Sequence, residues 1–121
     1  MTNIVQTIRI FVLVEAASFV AASLVHSGKV ITGHEHRQAR VAEGVIGAVL
    51  IAGLILSLVN PAWTRWVGRF VQGFALLGTL VGLFTIIVGV GPRTTLDLVY
   101  HPVIIAILVW GLILTTRARF P

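Results

Sequence analysis

A chain of 121 residues has room for one domain, but 57% of this one is hydrophobic and 11% charged, and its mean hydropathy of +1.01 is far from that of soluble domains. Without cysteine there are no disulfides and no thiolate metal sites, and the single methionine, the initiator, leaves no soft ligand set for cuprous copper. The net charge of +5 is carried by Lys and Arg at the ends of apolar runs, so the partner it implies is a lipid bilayer with anionic headgroups, not nucleic acid.

Four stretches approach the roughly 20 apolar residues that span a hydrocarbon core about 30 Å thick: residues 4–25, 41–60, 66–90 and 96–115. They predict an all-α fold, an integral membrane four-helix bundle of antiparallel up-down topology with short loops, in one transmembrane domain over 1–121. Arg9 and Glu15 interrupt the first stretch, a poor pattern for a cleaved signal peptide, so this segment is expected to be retained.

The ends of these elements carry their own signals. Ser27-Gly28 follows the first span, where a glycine in the left-handed region closes a helix. In "TGHEHRQARVAEG", Thr32 and Glu35 have capping-box spacing and predict a second helix beginning near Gly33. "NPAW" at 60–63 and "GVGPRTTLD" at 89–97 break the chain again, with Thr94 and Asp97 as a further cap. In the third span Ala75, Gly78, Gly82, Thr85 and Gly89 form a small-residue seam; Gly44, Ala48 and Ala52 on the second and Ser18 and Ala22 on the first do the same. Such seams let backbones approach, within the chain, between copies in a homo-oligomer, or against other membrane subunits.

Orientation rests on the nine Lys and Arg residues. Arg9, Arg65, Arg69, Arg117 and Arg119 fall on the side of the termini, with Trp63, Trp66 and Phe120 as interfacial aromatics, and Lys29, Arg37, Arg40 and Arg93 fall opposite. The distribution favours both termini in the cytoplasm.

Polar residues gather at the end away from the termini: His26, His34, Glu35, His36, Glu43, Arg93, Asp97, Tyr100 and His101, including all four histidines. Asp97 and His101 are four apart and share a helical face, and Pro102 removes a backbone donor beside them. A carboxylate paired with His101 would fix its ring and raise its basicity as a ligand. His26, His101 and Glu43 are therefore the candidate metal or haem ligands, with Asp97 and Tyr100 supporting them; His34 and His36, in a charged loop, are weaker candidates. Nitrogen and oxygen donors without sulfur suit zinc, iron or a haem. Glu15 lies about eleven residues from either end of its span, where an ionisable group is costly and marks a proton or ion site unless it is a neutral acid held by Gln72 or Arg69.

Two resemblances extend this reading. Four spans with an acid in the middle of the first, "LVEAA", are similar to the small multidrug resistance family, whose dimers use that acid for protons and cationic drugs; the likeness covers the span count and this position, and implies a proton-coupled transporter using Glu15. The stretch "FALLGTLVGLFTIIVGVGPRTTLDLVYH", 74–101, resembles segments of small bacterial four-span membrane proteins of no known function, and implies a bacterial cytoplasmic membrane location. Three functions stand as expectations: metal-ion or haem binding for redox or ion handling at the histidine end, proton-coupled transport of a small cation, and a non-catalytic membrane subunit or scaffold. No catalytic motif surrounds Ser23 or Ser27 near His26, so enzymatic activity is left open.

Overall fold

The computed structural model describes residues 2–119; Phe120, assigned above to the interface, lies outside them. Among these residues the chain forms four long α-helices: α1 Thr2–His26, α2 Arg37–Val59, α3 Thr64–Ile87 and α4 Thr95–Arg117. A single 3-10 turn, Pro61–Trp63, joins α2 to α3. Each helix is long and apolar enough to cross a membrane, and the four pack as an antiparallel up-down bundle, as expected from their short connections. The molecule is an integral membrane protein by this pattern, with its large exposed side chains, such as Phe70, Leu77 and Trp110, on the outside of the bundle.

Helix ends follow local chemistry. Gly28 has φ +74 and closes α1 as expected. The second helix differs from expectation. Gly33 has φ +89, outside the helical region, and α2 begins at Arg37 with His36 as its cap: the His36 Nδ1 accepts from the Ala39 N–H at 3.1 Å. Asn60 accepts from the Ala62 N–H and starts the 3-10 turn. At α4 the capping box is formed: the Thr94 hydroxyl accepts from the Asp97 N–H at 3.3 Å, and the Asp97 Oδ2 accepts from the Thr94 N–H at 3.0 Å.

The core is layered. On α1, apolar Phe19 lies between Glu15 and His26; on α2, Ile46 and Leu50 lie between Glu43 and Ser57; on α3, Ala75 lies between Gln72 and Thr79; on α4, Ile104 and Leu108 lie between His101 and Thr115. These apolar residues are buried in one cluster. An apolar layer therefore separates a polar layer at the histidine end from another in the half nearer the termini.

Small residues allow the close packing, with two corrections. Gly78 of α3 faces Ile46, whose Cδ1 would stand 2.8 Å from an added Cβ, and Gly82 faces His101, but Gly89 lies beyond the end of α3 at φ +87, exposed and with nothing within 4 Å of an added Cβ, so the seam stops short of it. On α2, Ala48 and Ala52 are exposed. There the close contacts are made by Gly44 against Ser23, Gly47 against Val20 and Phe19, and Gly53 against Val71, because the neighbours of α2 lie on two sides rather than along one stripe.

Candidate functional site

Three helices bring one buried cluster together. His26, in the last turn of α1, has its Nδ1 2.5 Å from Oε1 of Glu43 on α2 and its Nε2 2.8 Å from Oδ1 of Asp97 at the start of α4. All three are buried. Carboxylate oxygens only accept when ionised, and a ring nitrogen without hydrogen only accepts too. Each of the two contacts therefore needs a hydrogen, so three groups share two hydrogens and the cluster carries a net charge of −1 wherever those hydrogens sit. Asp97 is held further by the Thr94 hydroxyl, which donates to its Oδ2 at 2.6 Å, and it sits in the first turn of α4, where the helix dipole favours a negative charge. The His36 N–H donates to the His26 carbonyl at 3.0 Å, which locks the connecting loop over the cluster.

This arrangement corrects the expected pairing of Asp97 with His101. The Asp97 carboxylate goes to Thr94 and His26, and His101 instead donates from Nδ1 to the Asp97 backbone carbonyl at 2.8 Å. A carbonyl only accepts, so Nδ1 carries the hydrogen and, in the neutral ring, Nε2 is an acceptor. It has no hydrogen bond among the described residues and stands 3.6 Å from the position of a Cβ added at Gly82.

Beside the cluster, between α2, α3 and α4, is a cavity of about 230 Å³ whose wall includes Phe19, Glu43, Thr79, Gly82, Tyr100 and His101. The Tyr100 hydroxyl is buried and lacks a hydrogen-bond partner among the described residues; its ring meets Phe19 edge-on at 6.2 Å. The hydroxyls of Thr79 and Thr85 donate to the carbonyls of Ala75 and Gly82.

The expected ligand set does not converge as it stands. Both ring nitrogens of His26 are engaged by carboxylates, and among the described residues no group of three or more His, Asp and Glu side chains is arranged to hold a metal ion. His36 is spent on capping and on the Val90 carbonyl at 3.3 Å. The Nδ1 of His34, in the loop, is buried without a partner among the described residues. Glu35 lies with its side chain against Gly28.

The other polar layer is centred on Glu15, 0% exposed, with neither carboxyl oxygen hydrogen-bonded among the described residues. Neither expected partner reaches it. Arg69 donates to the Thr116 carbonyl at 3.1 Å, and the Gln72 amide nitrogen donates to the Gly68 carbonyl at 3.1 Å and to Thr115 Oγ1 at 2.8 Å. Gln72 Oε1 and Glu15 Oε2 are instead both turned onto Gly111, and Gln72 Oε1 also lacks a partner among the described residues. Nearer the termini, Arg9 donates from Nε to Ser57 Oγ at 3.0 Å, and Ser57 pairs with Thr64 at 2.6 Å; this link between α1, α2 and α3 had no signal in the sequence beyond an arginine near a span end.

The class these features define is a small four-span membrane bundle with buried ionisable groups in two layers. Comparison with protein-family models, with curated proteins and with solved structures finds no match.

Proposed function

We propose that this is a proton-handling membrane protein, in which the His26, Glu43 and Asp97 cluster takes up and releases a proton near one face of the bilayer and Glu15 is a second proton site within it. The observation that carries the reading is the engagement of both His26 nitrogens by carboxylates from two other helices. Removing one of the two shared hydrogens leaves one nitrogen and one carboxylate oxygen facing each other as acceptors, so that contact opens. Asp97 is tied to its own helix by Thr94, so the contact that yields is the one to Glu43, and the change falls on the α2 wall of the adjacent cavity. Proton loading thereby couples to the shape of a binding site, the element that proton-coupled transport of a small solute requires. The apolar layer between the two polar layers offers no proton carrier of its own, so in this reading a proton crosses only when the core admits water. In this reading the protein resides in a bacterial cytoplasmic membrane with both termini inside.

Infrared difference spectra of the protein in lipid, recorded between about pH 5 and about pH 8, test this directly. A protonated-carboxyl band that changes with pH and disappears in Glu43→Gln is expected; spectra without any carboxyl change over that range would overturn the proposal.

A second reading keeps a metal ion, zinc or iron, on His101 Nε2 with Glu43. It is favoured by one observation, the anchoring of Nδ1 on a backbone carbonyl, which is how ligand histidines are oriented. Elemental analysis of the purified protein and of His101→Ala separates the two: a stoichiometric metal lost in the variant supports the metal, and none in either supports proton handling alone.

A further inference from the structure

We infer that the cavity beside the cluster is a binding site for a neutral, bilayer-soluble phenol or hydroquinone ring. This rests on the proton-handling reading and names the ligand of its adjacent cavity.

Size sets the first limit. An apolar cavity of about 150 Å³ holds benzene, and drug-sized ligands occupy about 300–1,000 Å³. The 230 Å³ available here suits one substituted ring.

Hydrogen-bonding capacity sets the second. His101 is 8% exposed, its Nδ1 is committed to the Asp97 carbonyl, and its Nε2 is an unpartnered acceptor at the cavity wall beside Gly82. Glu43 also lines the cavity, and a carboxyl group adds acceptor capacity there. Thr79 and Thr85 have already donated their hydrogens, and no Lys or Arg lines the cavity. The Tyr100 hydroxyl is the buried donor of the wall without a partner among the described residues, and the amide of the exposed Gln38 lines it as well. Such a site selects a ligand that donates, and disfavours carboxylates and phosphates.

Charge separates neutral donors from cations. The cluster's single negative charge is held best on Asp97, which accepts from the Thr94 hydroxyl and N–H at the N-terminal end of α4 and does not line the cavity, while Glu43, which does, is hydrogen-bonded to His26. No unpaired carboxylate is left to neutralise an ammonium group. Access also fits a ligand dissolved in lipid, since the lining residues Ala42 of α2 and Val81 of α3 are themselves exposed on the outer surface of the bundle, within segments long and apolar enough to span the bilayer.

Fluorine NMR in lipid nanodiscs, with empty nanodiscs as the blank, reads the proposal with three probes: 4-fluorophenol, fluorobenzene and protonated 4-fluorobenzylamine. Saturable binding of 4-fluorophenol is expected, about tenfold tighter than fluorobenzene, and weakened about tenfold in His101→Phe. Gly82→Leu, which fills the cavity while leaving every polar group in place, should abolish it. Tighter binding of the amine than of the phenol, equal binding of fluorobenzene, or no saturable binding would each overturn the ligand class. A pH-dependent carboxyl band in the same samples keeps the proton reading separate, because it is measured without any probe.

Discussion

At Glu15 a carboxyl group is fully buried against Gln72 and Gly111 without a donor to meet it among the described residues. Insertion scales put an acid at mid-helix at about 2.5–3.5 kcal/mol, and the orientation of Gln72 shows why its amide does not offset this. The Thr115 hydroxyl spends its hydrogen on the Gly111 carbonyl and so accepts from the Gln72 nitrogen, which leaves the Gln72 oxygen toward Gly111. Two acceptors side by side are reconciled by a hydrogen on the acid. Glu15→Gln, which supplies that donor permanently, should therefore change stability by no more than about 1 kcal/mol while removing any proton-linked activity. Glu15→Ala should cost about 2–5 kcal/mol as a cavity, and Gly111→Ala about 1–3 kcal/mol, because its Cβ would meet Gln72, Phe11 and Glu15 at once. Thermal unfolding in detergent compares all three. The position of Glu15 is plain in the sequence, but its surroundings are not: Arg69 lies on the right helix and spends its guanidinium on the Thr116 carbonyl, a choice fixed by helix rotation rather than by spacing.

The four helices were legible because an apolar run of membrane length has few alternatives, and α4 began where its capping box placed it. The start of α2 was misread for a local reason. Thr32 and Glu35 have the spacing of a cap, but Gly33 turns the chain at positive φ, and His36, three residues before Ala39, caps in their place. The cluster was legible in membership and not in pairing: His26 and Glu43 are 17 apart and His26 and Asp97 71 apart, so only assembly joins them, whereas the four-residue step from Asp97 to His101 suggested a contact that the side chain of Asp97 does not make. The same capping box now has two tasks, since it both starts α4 and aims Asp97 at His26. Thr94→Ala should cost about 0.5–2 kcal/mol and, unlike an ordinary cap loss, should also shift the His26 ring resonances in NMR spectra. Thr94→Ser should restore both; loss of stability with unchanged His26 resonances would mean that Asp97 is held by His26 alone.

Across the whole molecule the two ends differ in kind. Glu35, Glu43 and Asp97 belong to the histidine end, and the fourth acid, Glu15, lies within a span. The end with the termini gathers Arg9, Arg65, Arg69, Arg117 and Arg119 without a carboxylate among them, and Arg65 and Arg69 both donate to the one carbonyl of Thr116, at 3.0 and 3.1 Å. Five basic residues at this end, with no Asp or Glu among them, favour contact with anionic headgroups and hence the cytoplasmic leaflet. Count alone splits the nine basic residues five and four, but the histidine end offsets its four with three acids, although acids contribute little to orientation. A chain without cysteine allows a direct measurement. Thr32→Cys and Ala62→Cys are both exposed, charge-neutral positions in loops at opposite ends of the bundle. In intact cells a membrane-impermeant maleimide should label Thr32→Cys and spare Ala62→Cys until the membrane is opened. The reverse pattern would put the arginines outside and the His26 cluster at the cytoplasmic face, and labelling of both sites in intact cells would break the four-span topology itself.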